Sequence, residues 1–366
     1  MTTPLRVAVL GAGTVGREVV RALLGEADRL AERSGRRLEL VAVAVRDLDR
    51  ARRAGVPDAL LTDAPAHLVA SAGNDVVVEL IGGEEPARTL IAAALEAGKA
   101  VVSANKLVLA RHGAALEAVA RRTRAALRFE AAVGGGTPVL GPLARDLVAA
   151  ELRRIRGIVN GTTNYILTER AAAGRPYEEV LREAQALGYA EADPRADVEG
   201  DDAVNKLVVL ARLGFGAWLD PDEVLRCSPT TAGDGAPGIA GLTDAAILSA
   251  AELGLAIRFL ATTERAEDGS LAAWAVPTAV PAVSPLGRTS GVLNRIEIDG
   301  HPVGRVALEG PGAGGPATSA AILGDLVAVA RGERSTWGHL PPPVPARLGQ
   351  PLAGPRRWLV VVDREA

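Results

Sequence analysis

Leu5-Arg6-Val7-Ala8-Val9-Leu10-Gly11-Ala12-Gly13-Thr14-Val15-Gly16 decides how this chain is read. Five of its first six residues are apolar, the pattern of a strand buried inside a sheet. The G-x-G-x-x-G run that follows opens an amphipathic helix, expected over about residues 15–33. Glycines at this spacing are informative only between a strand and a helix, which is their setting here. Gly11 permits a tight turn, Gly13 lets the backbone approach a pyrophosphate, and Gly16 lets helix and strand pack closely. Ala12, Thr14 and Val15 fill the turn, and the helix start offers free N–H groups to phosphates. The implied ligand is a dinucleotide.

Outward from this turn, strand patterns recur at 38–45, 76–80, 100–103 and 127–133, with helices expected at 85–97 and 107–124. Strands alternating with helices imply a parallel sheet with right-handed crossovers. The fold class is therefore α/β: a Rossmann-type parallel-sheet domain plus an α+β domain. Arg46-Asp47 follows the second strand. An acid there would receive the ribose hydroxyls, whereas an arginine accommodates a 2′-phosphate. Arg46 favours NADP(H) over NAD(H), although both residues could serve.

The pattern changes at the glycine-rich Gly134-Gly135-Gly136-Thr137-Pro138. Residues 138–304 mix helices, near 177–187 and 201–213, with strands near 154–159, 274–280 and 291–298. The expected organisation is a nucleotide-binding domain over 1–137, a substrate domain over 138–304, and a segment over 305–330 returning to the first. That segment contains a glycine-rich turn, Gly310–Gly315, and an apolar helix at 316–330. Residues 331–366 form a tail with Pro341-Pro342-Pro343 and a strand pattern at Trp358–Val362.

Bulk properties bound the function. The 366 residues are 48% hydrophobic and 23% charged with a net charge of −3. That balance provides no broad basic field for nucleic acid or an anionic membrane. No apolar run reaches the roughly 20 residues of a membrane span. The N-terminus enters a strand at once, leaving no room for a signal peptide. The single cysteine, Cys227, has no partner for an internal disulfide. A cytoplasmic, reducing setting is expected.

Of the 41 basic residues, only Lys99, Lys106 and Lys206 are lysine. Lysine can release a proton when its pKa is lowered, and arginine cannot. Lys106 ends Ser103-Ala104-Asn105-Lys106, just after a parallel strand, where ligands of such sheets bind. Lys206 follows an acidic run through Glu191, Asp193, Asp197, Asp201 and Asp202. Asp202 and Lys206 are four apart and share one helix face. Several carboxylates around one lysine suit a small amino-acid substrate with its own ammonium group.

The chain resembles the homoserine dehydrogenase family to about residue 330. The matching segments are Gly11–Gly16, Glu79-Leu80-Ile81-Gly82-Gly83, Glu85-Pro86-Ala87, Ser103–Lys106 and Phe129–Val133. Further on they are Asn160-Gly161-Thr162-Thr163-Asn164-Tyr165-Ile166-Leu167, Leu187–Pro194 through Asp202 and Lys206, and Gly310–Gly315. The resemblance implies interconversion of aspartate semialdehyde and homoserine. It implies Lys206 as proton donor to the carbonyl oxygen, with Lys106 also catalytic. Glu191, Asp202, Asp197, Tyr189 and Thr162 would bind the substrate. Ser103, Lys106, Gly188 and Gly312 would contact the cofactor. Glu130, with the carbonyls of Val133, Gly135 and Thr137, would hold a monovalent cation, Na⁺ or K⁺. A homodimer is also implied. Longer members carry a C-terminal ACT domain that senses threonine. Only a first strand of one is visible here, so no feedback through such a module is expected.

Two other readings compete. Cys227 could be the nucleophile of a different semialdehyde dehydrogenase, although no histidine lies near it in sequence. A dinucleotide-sensing regulator could use the same fold, since function resides in the site. The four residues Lys106, Glu191, Asp202 and Lys206 favour chemistry over sensing.

Overall fold

A computed structural model describes residues 3–226 and 237–350. Cys227 and the strand expected at Trp358–Val362 lie outside them. β1, Leu5–Leu10, is buried along nearly its whole length. It pairs in parallel with β2, Leu38–Ala44, and with β4, Val76–Glu79. Three more strands, β3 (Leu61–Thr62), β5 (Ala100–Ser103) and β6 (Leu127–Arg128), complete a parallel sheet of order β3-β2-β1-β4-β5-β6. The chain starts in the middle and reverses direction of winding beside β1, which places the Gly11–Gly16 turn at the point where such sheets bind ligands.

The helix expected over 15–33 is two helices, Thr14–Gly25 and Ala27–Ser34, broken at Glu26. Val19, Val20 and Leu23 from the first and Leu30 from the second enter one core with Val7, Val9, Val43 and Val78. The helix Gly315–Ala330 packs on Thr14–Gly25 and adds Ile322 and Leu326 to that core. The strand expected at 127–133 stops at Arg128. The backbone then coils into a short turn of helix, Glu130–Ala132, because the Glu130 carboxylate receives the N–H groups of Val139, Leu140 and Gly141.

Contacts divide the chain into one unit of residues 1–148 and 313–343, and another of 149–312 with the chain from Val344 on. The capping by Glu130 explains why the first unit runs past Pro138: it ties the helix Leu140–Arg145 to that unit. The second unit is built on an antiparallel sheet of order β11-β10-β7-β8-β9. Its strands are β7 (Glu151–Ile158), β8 (Leu255–Arg265), β9 (Leu271–Pro281), β10 (Leu293–His301) and β11 (Gly304–Pro311). Because β11 pairs with β10 along its length, residues 304–311 stay with this sheet rather than with the helix that follows. Helices Gly161–Ala173 and Asp201–Phe215 pack on it. One stripe of the sheet carries a cross-strand ion ladder, including Arg154–Asp299, Arg156–Glu297 and Arg305–Asp299 pairs. Among the described residues no helix is long and apolar enough to cross a membrane.

Candidate active site and nucleotide-binding turn

The glycine turn after β1 is sterically obligatory at two of its three glycines. Gly11 has φ +99°, and a Cβ there would lie 2.6 Å from the Leu80 carbonyl oxygen. A Cβ on Gly16 would lie 2.1 Å from the Gly11 carbonyl oxygen. Gly13 faces open space: nothing lies within 4 Å of its missing Cβ. No side chain caps the start of the helix Thr14–Gly25, so its first N–H groups remain available to a ligand. Ala12 and Val15 are half-buried in this turn, and Thr14 is exposed. These features fit a pyrophosphate drawn close to the backbone.

Beyond β2, Asp47 is occupied: its Oδ1 accepts the Arg50 N–H at 2.8 Å and caps the helix Leu48–Arg53. Arg46 is exposed and makes no ion pair among the described residues.

At the end of β5, Ser103 is fully buried and donates its hydroxyl to Glu79 at 2.6 Å. The other Glu79 oxygen accepts N–H groups of Ile81 and Gly82. Asn105 caps the helix Lys106–Thr123 through Val108 N–H and donates to the Gly83 carbonyl at 2.8 Å. Lys106, half-buried, is therefore the first residue of a helix whose start is tied to the loop after β4. Lys99 has a different task. Its ammonium is buried among the Val69 and Ser71 carbonyls and the Asn74 side chain. All three of its hydrogens have acceptors, so it fastens the backbone.

The acidic cluster of the second unit forms a continuous network around Lys206, which is 8% exposed. The Lys206 ammonium donates to Asp202 Oδ2 at 2.7 Å and to the Val159 carbonyl at 2.6 Å. Asp202 Oδ2 also accepts from Asn160 Nδ2 at 2.8 Å, and that nitrogen donates to Asp197 Oδ1 at 2.7 Å. Asp197 Oδ2 accepts the Thr162 hydroxyl at 3.0 Å; the same hydroxyl lies 2.7 Å from the Tyr189 carbonyl. Burial pushes the Asp197 carboxyl above its usual range, and the nearby Asp202 charge adds to this against the bonds from Asn160 and Thr162.

The network has a local origin. Asn160 lies two residues past β7, and its Oδ1 caps the helix Gly161–Ala173 by accepting the Thr163 N–H at 2.8 Å. That leaves its amide nitrogen to join two carboxylates. Asp202 and Lys206 lie one turn apart on the helix Asp201–Phe215, the spacing that pairs side chains on one face.

Other expected residues lie at the margin of this cluster. Glu191 is exposed, and its backbone carbonyl accepts from Gln185. Tyr189 is 42% exposed, with its ring edge on Tyr165 at 5.1 Å. Gly188, at φ +75°, ends the preceding helix. Asp193 is turned away to the exposed Arg195, whose guanidinium lowers its carboxyl to about 2. Gly312 lies against Asn294: a Cβ would meet that side chain at 2.2 Å.

In the glycine-rich loop of the first unit, Gly134 and Gly135 both have positive φ, and Thr137 N–H closes a turn on the Gly134 carbonyl. Glu130 is bound to three backbone N–H groups, and burial raises its carboxyl above the usual range. Thr137 Oγ1 is buried without a hydrogen-bond partner. Sequence reasoning gave no role to Asn160, Glu79 or Asn294. For Asn160 the signal was present, as an N-cap residue three before Thr163.

A parallel sheet with a glycine turn open to a pyrophosphate, and a buried lysine held among carboxylates, defines a nicotinamide-dinucleotide oxidoreductase. Residues 11–130 match the model of the homoserine dehydrogenase NAD-binding domain, and residues 138–327 match that of homoserine dehydrogenase. The chain belongs to the homoserine dehydrogenase family. It is 44% identical to the homoserine dehydrogenase of Mycobacterium leprae over 329 residues, covering 89% of this chain and 72% of that one. The crystal structure of a homoserine dehydrogenase from Thiobacillus denitrificans superimposes with a TM-score of 0.86 at 36% identity, over 94% of this chain and 79% of that one. A hyperthermophilic archaeal homoserine dehydrogenase in complex with NADPH superimposes at 0.71 with 25% identity, over 89% and 97%. The activity is thus the nicotinamide-dependent interconversion of L-aspartate 4-semialdehyde and L-homoserine.

Proposed function

We propose that this dehydrogenase works with NADP(H) in preference to NAD(H), with Lys206 moving the proton, in the synthesis of threonine, methionine and isoleucine. One observation carries the assignment of roles: the buried Lys206 ammonium, held by Asp202 and the Val159 carbonyl inside the Asn160–Asp197–Thr162 network. The nicotinamide ring supplies or takes the hydride at the carbonyl carbon. Lys206 gives a proton to the oxygen on which charge builds, and recovers it in the reverse direction. Asp202 and Val159 fix the nitrogen in place. Lys106 supplies a second ammonium to stabilise the developing oxyanion. Glu191, Asp202, Asp197, Tyr189 and Thr162 bind the amino-acid end of the substrate.

The turn residues Gly11, Ala12, Gly13, Thr14, Val15 and Gly16 hold the pyrophosphate, with Ser103, Lys106, Gly188 and Gly312 as further cofactor contacts. The 2′-phosphate falls to Arg46, because Asp47 is engaged as a helix cap. A monovalent cation, Na⁺ or K⁺, is part of the same reading. Glu130 and the backbone oxygens of Val133, Gly135 and Thr137 would hold it, and an oxygen-rich set suits a hard ion. The unpartnered Thr137 Oγ1 supports this fit. A homodimer joined through the antiparallel sheet completes the proposal.

One assay tests the cofactor and cation together. Homoserine oxidation is followed with NADP⁺ and NAD⁺, with and without Na⁺ or K⁺. The expected result is a lower KM for NADP⁺ and faster turnover when the cation is present. Arg46→Ala should raise the KM for NADP⁺ about 10- to 100-fold, as befits a lost charge-assisted contact, and leave that for NAD⁺ nearly unchanged. Equal loss with both dinucleotides would assign the 2′-phosphate elsewhere.

A further inference from the structure

Asn294 is 1% exposed on β10. Its Nδ2 donates to the Val159 carbonyl at 3.1 Å, the same oxygen that receives the Lys206 ammonium at 2.6 Å. That bond fixes which end of the amide is which, because a carbonyl cannot accept from Oδ1. Oδ1 is then buried with no hydrogen-bond partner among the described residues. Among the described residues nothing replaces the water this oxygen loses on folding, an arrangement native proteins keep rare. The hairpin holds it there. Gly312 follows β11, and any side chain at 312 would strike the amide of Asn294, with its oxygen 2.3 Å from the built Cβ. Glycine at 312 thus leaves room for Asn294 to stand beside Val159.

We propose that Asn294 is a ligand-positioning residue of the reaction, its amide nitrogen holding the carbonyl that seats Lys206 and its free Oδ1 accepting a hydrogen bond from an N–H group of the bound ligands. The inference rests on the dehydrogenase reading with Lys206 at the reacting oxygen. Two ligands bring such a donor next to a reacting centre: the carboxamide of the nicotinamide ring and the ammonium of the amino-acid substrate. The backbone carbonyl links the two tasks, since Asn294 and Lys206 share it.

The test uses the full-length enzyme and the Asn294→Ala variant. Calorimetry measures binding of NADPH alone and of homoserine in the presence of NADP⁺, and steady-state assays separate kcat from KM. Loss of one hydrogen bond predicts about five- to tenfold weaker binding of one of the two ligands. Weaker NADPH binding identifies the carboxamide as donor; weaker homoserine binding with NADPH unchanged identifies the ammonium. Both ligands binding within about twofold of the parent would overturn the proposal, whatever the melting temperature does. Asn294→Leu provides a second route, because it keeps the volume of the amide without its hydrogen-bonding atoms, and should weaken the same ligand. If Asn294→Ala fails to fold, unchanged binding in Asn294→Leu overturns the proposal alone. Homoserine oxidation by the parent enzyme is measured alongside, so a failure of the dehydrogenase reading itself would be recognised separately.

Discussion

Replacing Lys206 with arginine should lower kcat for homoserine oxidation by about 10²–10⁴-fold while leaving NADP⁺ binding close to the parent value. The magnitude is that of a positioned acid–base group. Arginine keeps the positive charge and can still reach Asp202, but it cannot release a proton at working pH. The variant thus separates proton transfer from electrostatic stabilisation. A fall of only a few-fold would mean that the charge at this position suffices and that the proton travels by another route. Lys106→Arg is the natural companion. If Lys106 acts as a fixed charge, its loss should be smaller than that of Lys206→Arg in the same assay.

Asp202→Ala should be the most destabilising single substitution in the cluster. The side chains of Lys206 and Asp202 are only 10% and 8% exposed. Removing one partner of a buried pair leaves a charge with little water to replace it, at a cost of about 3–5 kcal/mol. The variant loses the acceptor of both Lys206 and Asn160 at once. Chemical denaturation should show the midpoint falling by an amount consistent with that cost, together with a large loss of turnover. Asp193→Asn is the matched control: its carboxylate is exposed and paired only with Arg195, so neither stability nor homoserine KM should change noticeably. Equal effects in the two variants would mean that the network around Lys206 is not load-sharing in the way its geometry indicates.

The parts of the fold that follow from local rules could be read directly from the residues. β1 and its turn were legible because a buried strand, three glycines and a helix leave few alternatives. The helix Gly315–Ala330 was legible because it is predominantly apolar, with Asp325 its one charged residue, and follows a glycine turn. The early end of β6 was not, since it depends on the Glu130 side chain bonding to residues 139–141. Strand β8 was missed because it is buried on both faces, which erases the alternation that marks a half-exposed strand. The helix Gly161–Ala173 begins with a glycine and two threonines and shows no strong apolar stripe; its start is set by the Asn160 cap.

The site divides in the same manner. The scarcity of lysine singled out residues 106 and 206, and a spacing of four placed Asp202 beside Lys206. The same scarcity misleads at Lys99, where the amine satisfies backbone carbonyls. Asn160 and Asn294 belong to the cluster only through contacts across 42 and 135 residues of chain, to Asp202 and Val159. No periodicity encodes such contacts; the pairing of β7 with β10 brings Asn294 to Val159, and the packing of the helix Asp201–Phe215 against β7 brings Asp202 to Asn160.

The account depends above all on a proton passing through the amine of residue 206, and chemical rescue tests this most directly. Lys206→Ala should be nearly inactive, and small primary amines added to the assay should restore homoserine oxidation in proportion to the concentration of free base. Amines of different basicity should order the rescued rates. An inactive variant that still binds NADPH and homoserine yet gains nothing from any amine, or a variant that turns over well without one, would contradict it.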